Sequence, residues 1–283
     1  VSATLVDLAE GYTGEAFVST PKCPICNGAS SVAHDALNVH PDKAYRFGYR
    51  VCDRCSHGWI DPMPSQELLN HLYSNASSSV IGSGWTDIKS PRLTVPEQLV
   101  LDREMTPERG AKQYFELGVG KGLLYRQFLK AGWLCRGVEP GAWGRDLCGV
   151  ESHLNYIPNS LSAELVVALD VLEHIADPIS TLRQLRNLAA DGARLYCAMP
   201  NRQSLRATIG RSRWRMLRPL GHVNYWSRES VMEAFAKSRF TIEELIKTDL
   251  WEPRPIRTLR EAAAAAIEHL GLGDQWIAIA RAT

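Results

Sequence analysis

Gln113-Tyr-Phe-Glu-Leu-Gly-Val-Gly-Lys-Gly122, running straight into Leu123-Leu-Tyr-Arg-Gln-Phe-Leu-Lys130, is the stretch that decides the fold. A short apolar run of strand length ends in Gly118, Gly120 and Gly122, and the following residues carry helical spacing over Leu123–Ala131. Glycines let the chain turn sharply and let a ligand approach the backbone without meeting a Cβ, while the helix start presents unpaired amides. The spacing departs from the dinucleotide fingerprint: the third glycine comes too early, and Glu116 stands two residues before the first, where a carboxylate would repel a diphosphate. A second acid, Glu139, closes the next strand-like run, Leu134–Glu139, at the place where doubly wound sheets hold ribose hydroxyls. Two acids without a diphosphate cradle point to a nucleoside that carries an amine.

Outward from this loop the alternation continues. Leu165–Leu169 and Arg194–Met199 read as strands, with helices over Ala142–Cys148 and Pro178–Ala189. Beyond them come an alternating stretch Phe240–Ile246, a helical Leu259–Leu270 and an apolar strand Trp276–Ala280. Strands separated by helices predict an α/β domain with a doubly wound, mostly parallel sheet over 96–283.

Upstream the composition changes. Pro21–Pro64 is rich in Cys, Pro and Gly and lacks the periodicity that would build its own apolar core. Cys23-Pro-Ile-Cys26 and Cys52-Asp-Arg-Cys55 are separated by 25 residues, a zinc-ribbon type of spacing. Four thiolates complete a tetrahedron and leave no open position, so the predicted Zn2+ is structural; His34, His40 or His57 is the alternative ligand in place of one cysteine. The expected organisation is a zinc-ribbon-like module over 1–64, a helix (Gln66–Tyr73) and linker over 65–95, and the α/β domain. Of the seven cysteines, Cys135, Cys148 and Cys197 are left over.

Charge and hydropathy exclude several classes. With 32 basic and 31 acidic residues the net charge is +1, unlike the strongly basic proteins dedicated to nucleic acid. No apolar run reaches the ~18 residues of a membrane span, and Val1–Gly14 lacks the features of a secretory signal, so the expected location is cytoplasmic.

Glu116-x-Gly118-x-Gly120-x-Gly122 resembles the first motif of the class I S-adenosylmethionine-dependent methyltransferases, and Glu139 resembles the second. Leu165-Val-Val-Ala-Leu-Asp170-Val-Leu172-Glu173-His174-Ile-Ala-Asp177-Pro178 is similar to the fourth-strand motif of that family. The resemblance spans roughly Glu97–Thr283 and implies a seven-stranded Rossmann-like sheet with S-adenosylmethionine as methyl donor. It implies that Glu116 helps place the methionine amine, that Glu139 accepts from both ribose hydroxyls, that the glycine loop lies under the cofactor, and that Asp170 and Leu172 line its methionine end. Lys121 departs from the pattern, which usually has a small or neutral residue there. The four-cysteine segment continuing into Gly58-Trp-Ile-Asp-Pro-Met-Pro64 resembles the N-terminal part of sugar and natural-product methyltransferases, which implies a small-molecule acceptor.

Methyl transfer often requires a base beside the acceptor, and histidine suits that role near neutral pH. His174 follows the fourth strand, and His222 and Tyr225 lie in Gly221-His-Val-Asn-Tyr-Trp-Ser227 after the fifth, all at the carboxyl edge where such sheets bind ligands. His222 is the expected general base, with His174 and Tyr225 contributing to acceptor binding or proton removal. Six arginines between Arg202 and Arg218, with no acid among them, suggest either a solvated face or a lid over an anionic acceptor. An RNA methyltransferase that grips its substrate through the zinc module, and a non-catalytic binding protein on the same fold, are the competing readings.

Overall fold

The computed structural model describes residues 16–40, 43–75, 93–105, 112–141, 157–158, 161–248 and 273–283, with backbone alone over 35–46. The chain begins with β1 (Phe17–Val18), β2 (Ser30–His40), β3 (Lys43–Cys52), β4 (Gly58–Asp61), β5 (Met63–Pro64) and α1 (Gln66–Asn75). After α2 (Val95–Glu104), opened by a Thr94/Glu97 capping box, come β6 (Gln113–Leu117), α3 (Leu123–Lys130) and β7 (Leu134–Val138). The remainder holds β8 (Ala163–Leu169), α4 (Pro178–Leu188), β9 (Ala189–Pro200), α5 (Leu205–Gly210), β10 (Asn224–Tyr225), α6 (Arg228–Lys237), β11 (Phe240–Thr248) and β12 (Gln275–Ala282).

The large sheet has the order β7-β6-β8-β9-β12-β11. β7, β6, β8 and β9 are parallel, and β12 runs antiparallel between β9 and β11. The doubly wound, mostly parallel sheet expected from the sequence is therefore present, with six of the seven expected strands among the described residues. The helices expected at Ala142–Cys148 and Leu259–Leu270, and residues 76–92 of the expected linker, lie outside the described residues. Among the described residues no helix is long and apolar enough to cross a membrane.

Strand periodicity sorts the core into two layers. Tyr114, Leu165, Val167, Tyr196, Ile277 and Ile279 pack with Phe128 and Trp133 around α3, whereas Phe115, Val166, Ala168, Leu195 and Ala278 face the other way, toward α4 and α6. Both faces are covered, which is why β8 is apolar at nearly every position. The strand order reverses between β6 and β8, so their carboxyl ends flank a crevice of the kind in which open α/β sheets bind ligands.

The N-terminal segment does not close on itself. Its antiparallel sheet runs β10-β4-β3-β2, with Asn224 and Tyr225 of the α/β region pairing with Trp59 and Gly58. Phe47, Trp59, Ile60, Leu68 and Leu72 join the same buried cluster as Phe115, Val166, Tyr225 and Trp226. A segment too poor in apolar residues for its own core thus borrows one face of the larger sheet.

Candidate functional site

The crevice at the carboxyl ends of β6, β7 and β8 gathers three acids. Glu116 ends β6 and is buried, its Oε2 accepting the Tyr114 hydroxyl at 2.6 Å. Burial pushes its carboxyl well above the ordinary range, and the charges of Glu97 and Glu139 add to this against the Tyr114 hydrogen bond. Glu139, just beyond β7, is held by two backbone donors: Gly120 N to Oε2 at 2.7 Å and Gly141 N to Oε1 at 2.8 Å. These two bonds fix the orientation of the carboxylate. Asp170, directly after β8, has φ of 55° and accepts Gln275 Nε2 on Oδ1, while its buried Oδ2 has no hydrogen-bond partner. Burial, aided by the charge of Glu97, pushes Asp170 up to about 7.

Gly118, Gly120 and Gly122 all take positive φ, of 76°, 55° and 66°, a region that disfavours any residue with a Cβ. The turn is tied down by Gly118 N and Val119 N donating to Val138 O. At Gly118 the crowding neighbour is protein: an added Cβ would run into Cγ2 of Val171, in the loop after β8. This glycine lets two loops of the crevice interlock, a role that the motif alone does not reveal. Leu172 is fully buried at the start of a short 3-10 turn over Leu172–His174.

Several buried carboxyls with one orphaned oxygen and few cations form an environment completed by a positively charged ligand. The set suits a nucleoside with a cationic amine and a sulfonium: Glu139 for hydroxyls, Glu116 and Asp170 for positive charge.

The second constellation is the four cysteines. All are buried, with one sulfur from each lying within 4.8 Å of the others. Cys23 Sγ to Cys55 Sγ is 3.6 Å and Cys26 Sγ to Cys52 Sγ is 3.3 Å, whereas tetrahedral zinc with bonds of about 2.3 Å sets sulfurs about 3.8 Å apart. The two Cys-x-x-Cys turns are near copies. Asn27 N donates to Cys23 O and Ser56 N to Cys52 O, and Asn27 and Ser56 both take positive φ. Backbone N–H groups of Gly28, Arg54 and Cys55 point at Sγ of Cys26 or Cys52 at 3.3–3.4 Å. Burial and the Cys52 sulfur push the Cys26 thiol up; at Cys52, burial is outweighed by the Cys55 and Arg54 amides, which hold it down. A cation bound by all four would remove the cost of gathering buried thiolates. The histidines considered as substitutes lie elsewhere: His57 bonds to Asn224 Oδ1 at 2.9 Å and Ser230 Oγ at 3.3 Å, and His34 stacks on Tyr49. The side chain of His40 is outside the described residues.

The cysteine turns are clamped to the α/β region. Ser227 Oγ donates to Cys55 O at 2.6 Å, Lys237 Nζ to Ile25 O at 2.7 Å, and Arg202 Nη1 to Ser56 O at 2.7 Å. Ser227 and Ser230 also form the capping box of α6, the helix-start chemistry expected from their spacing.

The third constellation brings His174, His222 and Tyr225 together. The two imidazole centroids are 4.9 Å apart, edge to face, and His222 to Tyr225 is 6.5 Å. His174 Nδ1 lies 2.6 Å from Gly221 O and 2.5 Å from the Tyr73 hydroxyl, and His222 Nδ1 lies 2.8 Å from Met216 O. A carbonyl can only accept, so His222 Nδ1 carries the hydrogen and its Nε2 keeps a lone pair, whereas the His174 ring is shared among Gly221 O, the Tyr73 hydroxyl and the Asp170 backbone. Burial pushes His174 down to about 4, and burial together with the charges of His174 and Arg218 holds His222 well below the ordinary range. Tyr225 is fully buried, and its hydroxyl donates to His222 O at 2.7 Å.

Of three further residues at this edge, Tyr73 and Gln275 carry no sequence signal, and Glu173 lies in the fourth-strand motif without a role read from it. Tyr73, on α1, touches His174 from 101 positions away, and Gln275 reaches Asp170 from the last strand. Glu173 is 1% exposed, with Oε1 3.9 Å from His174 Nε2 and an Oε2 that has no hydrogen-bond partner. The arginine run also finds its missing acid far along the chain. Arg206 and Arg215 converge on buried Asp274 at 3.5 and 3.4 Å, with Ser204 and Trp214 on its other oxygen. Arg211 and Arg213 remain exposed.

Comparison with known proteins agrees with this architecture. Residues 97–245, more than half of the chain, match the family model described as "Methyltransferase domain". No curated protein matches. Among solved structures, a chain from the complex of the Haloferax volcanii Trm112 methyltransferase activator with a methyltransferase aligns with a TM-score of 0.52 at 15% identity. The alignment covers 65% of this chain and 87% of that one, a likeness of fold alone. An S-adenosylmethionine-dependent methyltransferase from Thermotoga maritima aligns at 0.49 with 17% identity, over 66% and 88% of the two chains. With its glycine turn, its acids at the carboxyl edge and a family match over this same region, the chain belongs to the methyltransferase domain family and is an S-adenosylmethionine-dependent methyltransferase.

Proposed function

We propose that the enzyme methylates a small molecule, a sugar, nucleotide-linked sugar or natural-product intermediate, with His222 removing the acceptor's proton. The observation that carries this reading is the tautomer of His222. Its Nδ1–H is spent on Met216 O, so Nε2 offers a lone pair at the crevice edge, and burial keeps it unprotonated through the neutral range. His174 stands beside it, and Tyr225 acts through the His222 carbonyl to fix the loop. Glu116, Glu139, Asp170, Leu172 and the three glycines make the donor half. The four cysteines hold a structural Zn2+ that fastens the N-terminal sheet beneath the acceptor side.

His222→Ala should lower kcat by about 100-fold or more, the usual worth of a general base, while S-adenosylmethionine affinity measured by calorimetry stays within a few-fold. Unchanged kcat would remove His222 from the mechanism. The exposed Arg211 and Arg213 favour an acceptor carrying phosphate or carboxylate, and they are also the feature that would serve an RNA substrate. The inward pairing of Arg202, Arg206 and Arg215 supports the smaller acceptor, because phosphate contacts dominate nucleic-acid affinity. A steep fall of bulk RNA binding with salt would favour the RNA reading instead.

A further inference from the structure

Beside the donor crevice, Glu173, His174 and His222 each place one ligand atom within 4.8 Å of the other two. We propose that these three side chains form a second metal site, for one borderline divalent transition ion such as Zn2+ or Co2+, and that an ion bound there blocks methyl transfer.

Two imidazoles and a carboxylate suit such ions, which take nitrogen and oxygen ligands at about 2.0–2.2 Å and so set ligand atoms about 3.4 Å apart in a tetrahedron. The 3.9 Å from His174 Nε2 to Glu173 Oε1 lies within a small side-chain rotation of that value. His222 already has the tautomer that a metal needs: it donates its Nδ1–H to Met216 O, which orients the ring and leaves Nε2 as ligand, and the His174 ring is likewise held by a backbone carbonyl, that of Gly221, the outer-shell arrangement that accompanies histidine ligation. The Tyr73 hydroxyl, bonded to Gly221 O at 2.9 Å, braces the same carbonyl.

The independent observation is Glu173 itself. It is 1% exposed, yet its Oε2 has no hydrogen-bond partner, an arrangement that costs free energy unless something charged or hydrogen-bonding meets it. A cation among the three groups would meet it. Of the neighbouring charges, Asp170 favours a cation, while the Arg218 guanidinium acts against one. Three protein ligands leave at least one open position.

The blocking effect rests on His222 being the base: a lone pair given to a metal cannot accept a proton from the acceptor. The test uses full-length protein with zinc already in the cysteine site, titrated with Co2+ and followed by calorimetry and visible absorption. The expected result is one further ion per chain, showing weak d–d bands without thiolate-to-cobalt charge transfer. At saturation kcat should fall by about 100-fold, and a mild chelator should restore it while leaving the zinc in place. Glu173→Gln and His174→Ala should each lose the second ion while keeping S-adenosylmethionine affinity, which reports that they fold. A stoichiometry that never exceeds one metal per chain would overturn the site, as would Co2+ binding that survives in His174→Ala and His222→Ala alike. Saturating Co2+ that leaves kcat unchanged would overturn the block. The base reading fails separately, if metal-free His222→Ala turns over like the parent.

Discussion

The proposed donor and acceptor halves of the crevice are built differently. Most of the donor half comes from one continuous stretch, Gln113 to Gly141, where strand, turn, helix and strand set Glu116, the glycines and Glu139 by local geometry, with Asp170 added from the next parallel strand. The acceptor half is assembled across the chain: Tyr73 from the N-terminal segment, Glu173 and His174 after β8, and His222 from a loop bound to the cysteine sheet through β10. On the proposed assignment, donor recognition depends on one supersecondary unit, whereas acceptor chemistry depends on the docking of two regions.

Cys52→Ser should break this comparison most forcefully. Losing one of the four proposed zinc ligands should unfasten the sheet that carries β4 and, through it, the β10 loop. Methyl transfer should fall by more than about 100-fold through misplacement of His222 and Tyr73, while calorimetric S-adenosylmethionine affinity changes only a few-fold. If affinity falls as far as turnover, the two halves are one cooperative unit. Gly118→Ala strikes the other side. A strained φ and a collision with Val171 should together cost about 2–4 kcal/mol, read from the denaturant midpoint, and Val171→Ala in the same chain should recover part of it. Recovery of nothing would place all of the cost in the backbone. The smallest effect sharpens the donor side alone. With Asp170 pushed up to about 7, a bound cation should lower its affinity for protons, so S-adenosylmethionine binding near pH 7 should release about half a proton. Calorimetry in buffers of different ionisation enthalpy measures this, and Asp170→Asn should abolish it.

How much was legible follows the same division. Five of the six strand-like runs appear near their expected limits, because a sheet buried on both faces forces apolar residues into runs that helices and turns interrupt; β9 starts at Ala189, five residues before the expected Arg194. Cys23, Cys26, Cys52 and Cys55 converge because two knuckle turns present their sulfurs at fixed spacing. His174 and His222 were nameable as neighbours of strand ends, but their separation was not. Glu173 stood inside a recognised motif, and only its burial beside His174 set it apart. Tyr73 read as one more helical residue, since nothing near it in sequence reports a partner 101 positions away. The arginines between 202 and 218 looked unpaired because Asp274, which holds two of them, lies well beyond that window.

By itself the sequence determined the parallel sheet, the glycine turn with its acids and the cysteine quartet, because these depend on residues within about 30 positions, where chain geometry fixes distance. Only the tertiary structure decided that the cysteine sheet is completed by β10 and that Glu173, His174, His222 and Tyr73 share one edge. Contacts between distant segments are selected by burial of a common apolar core, which spacing along the chain does not encode.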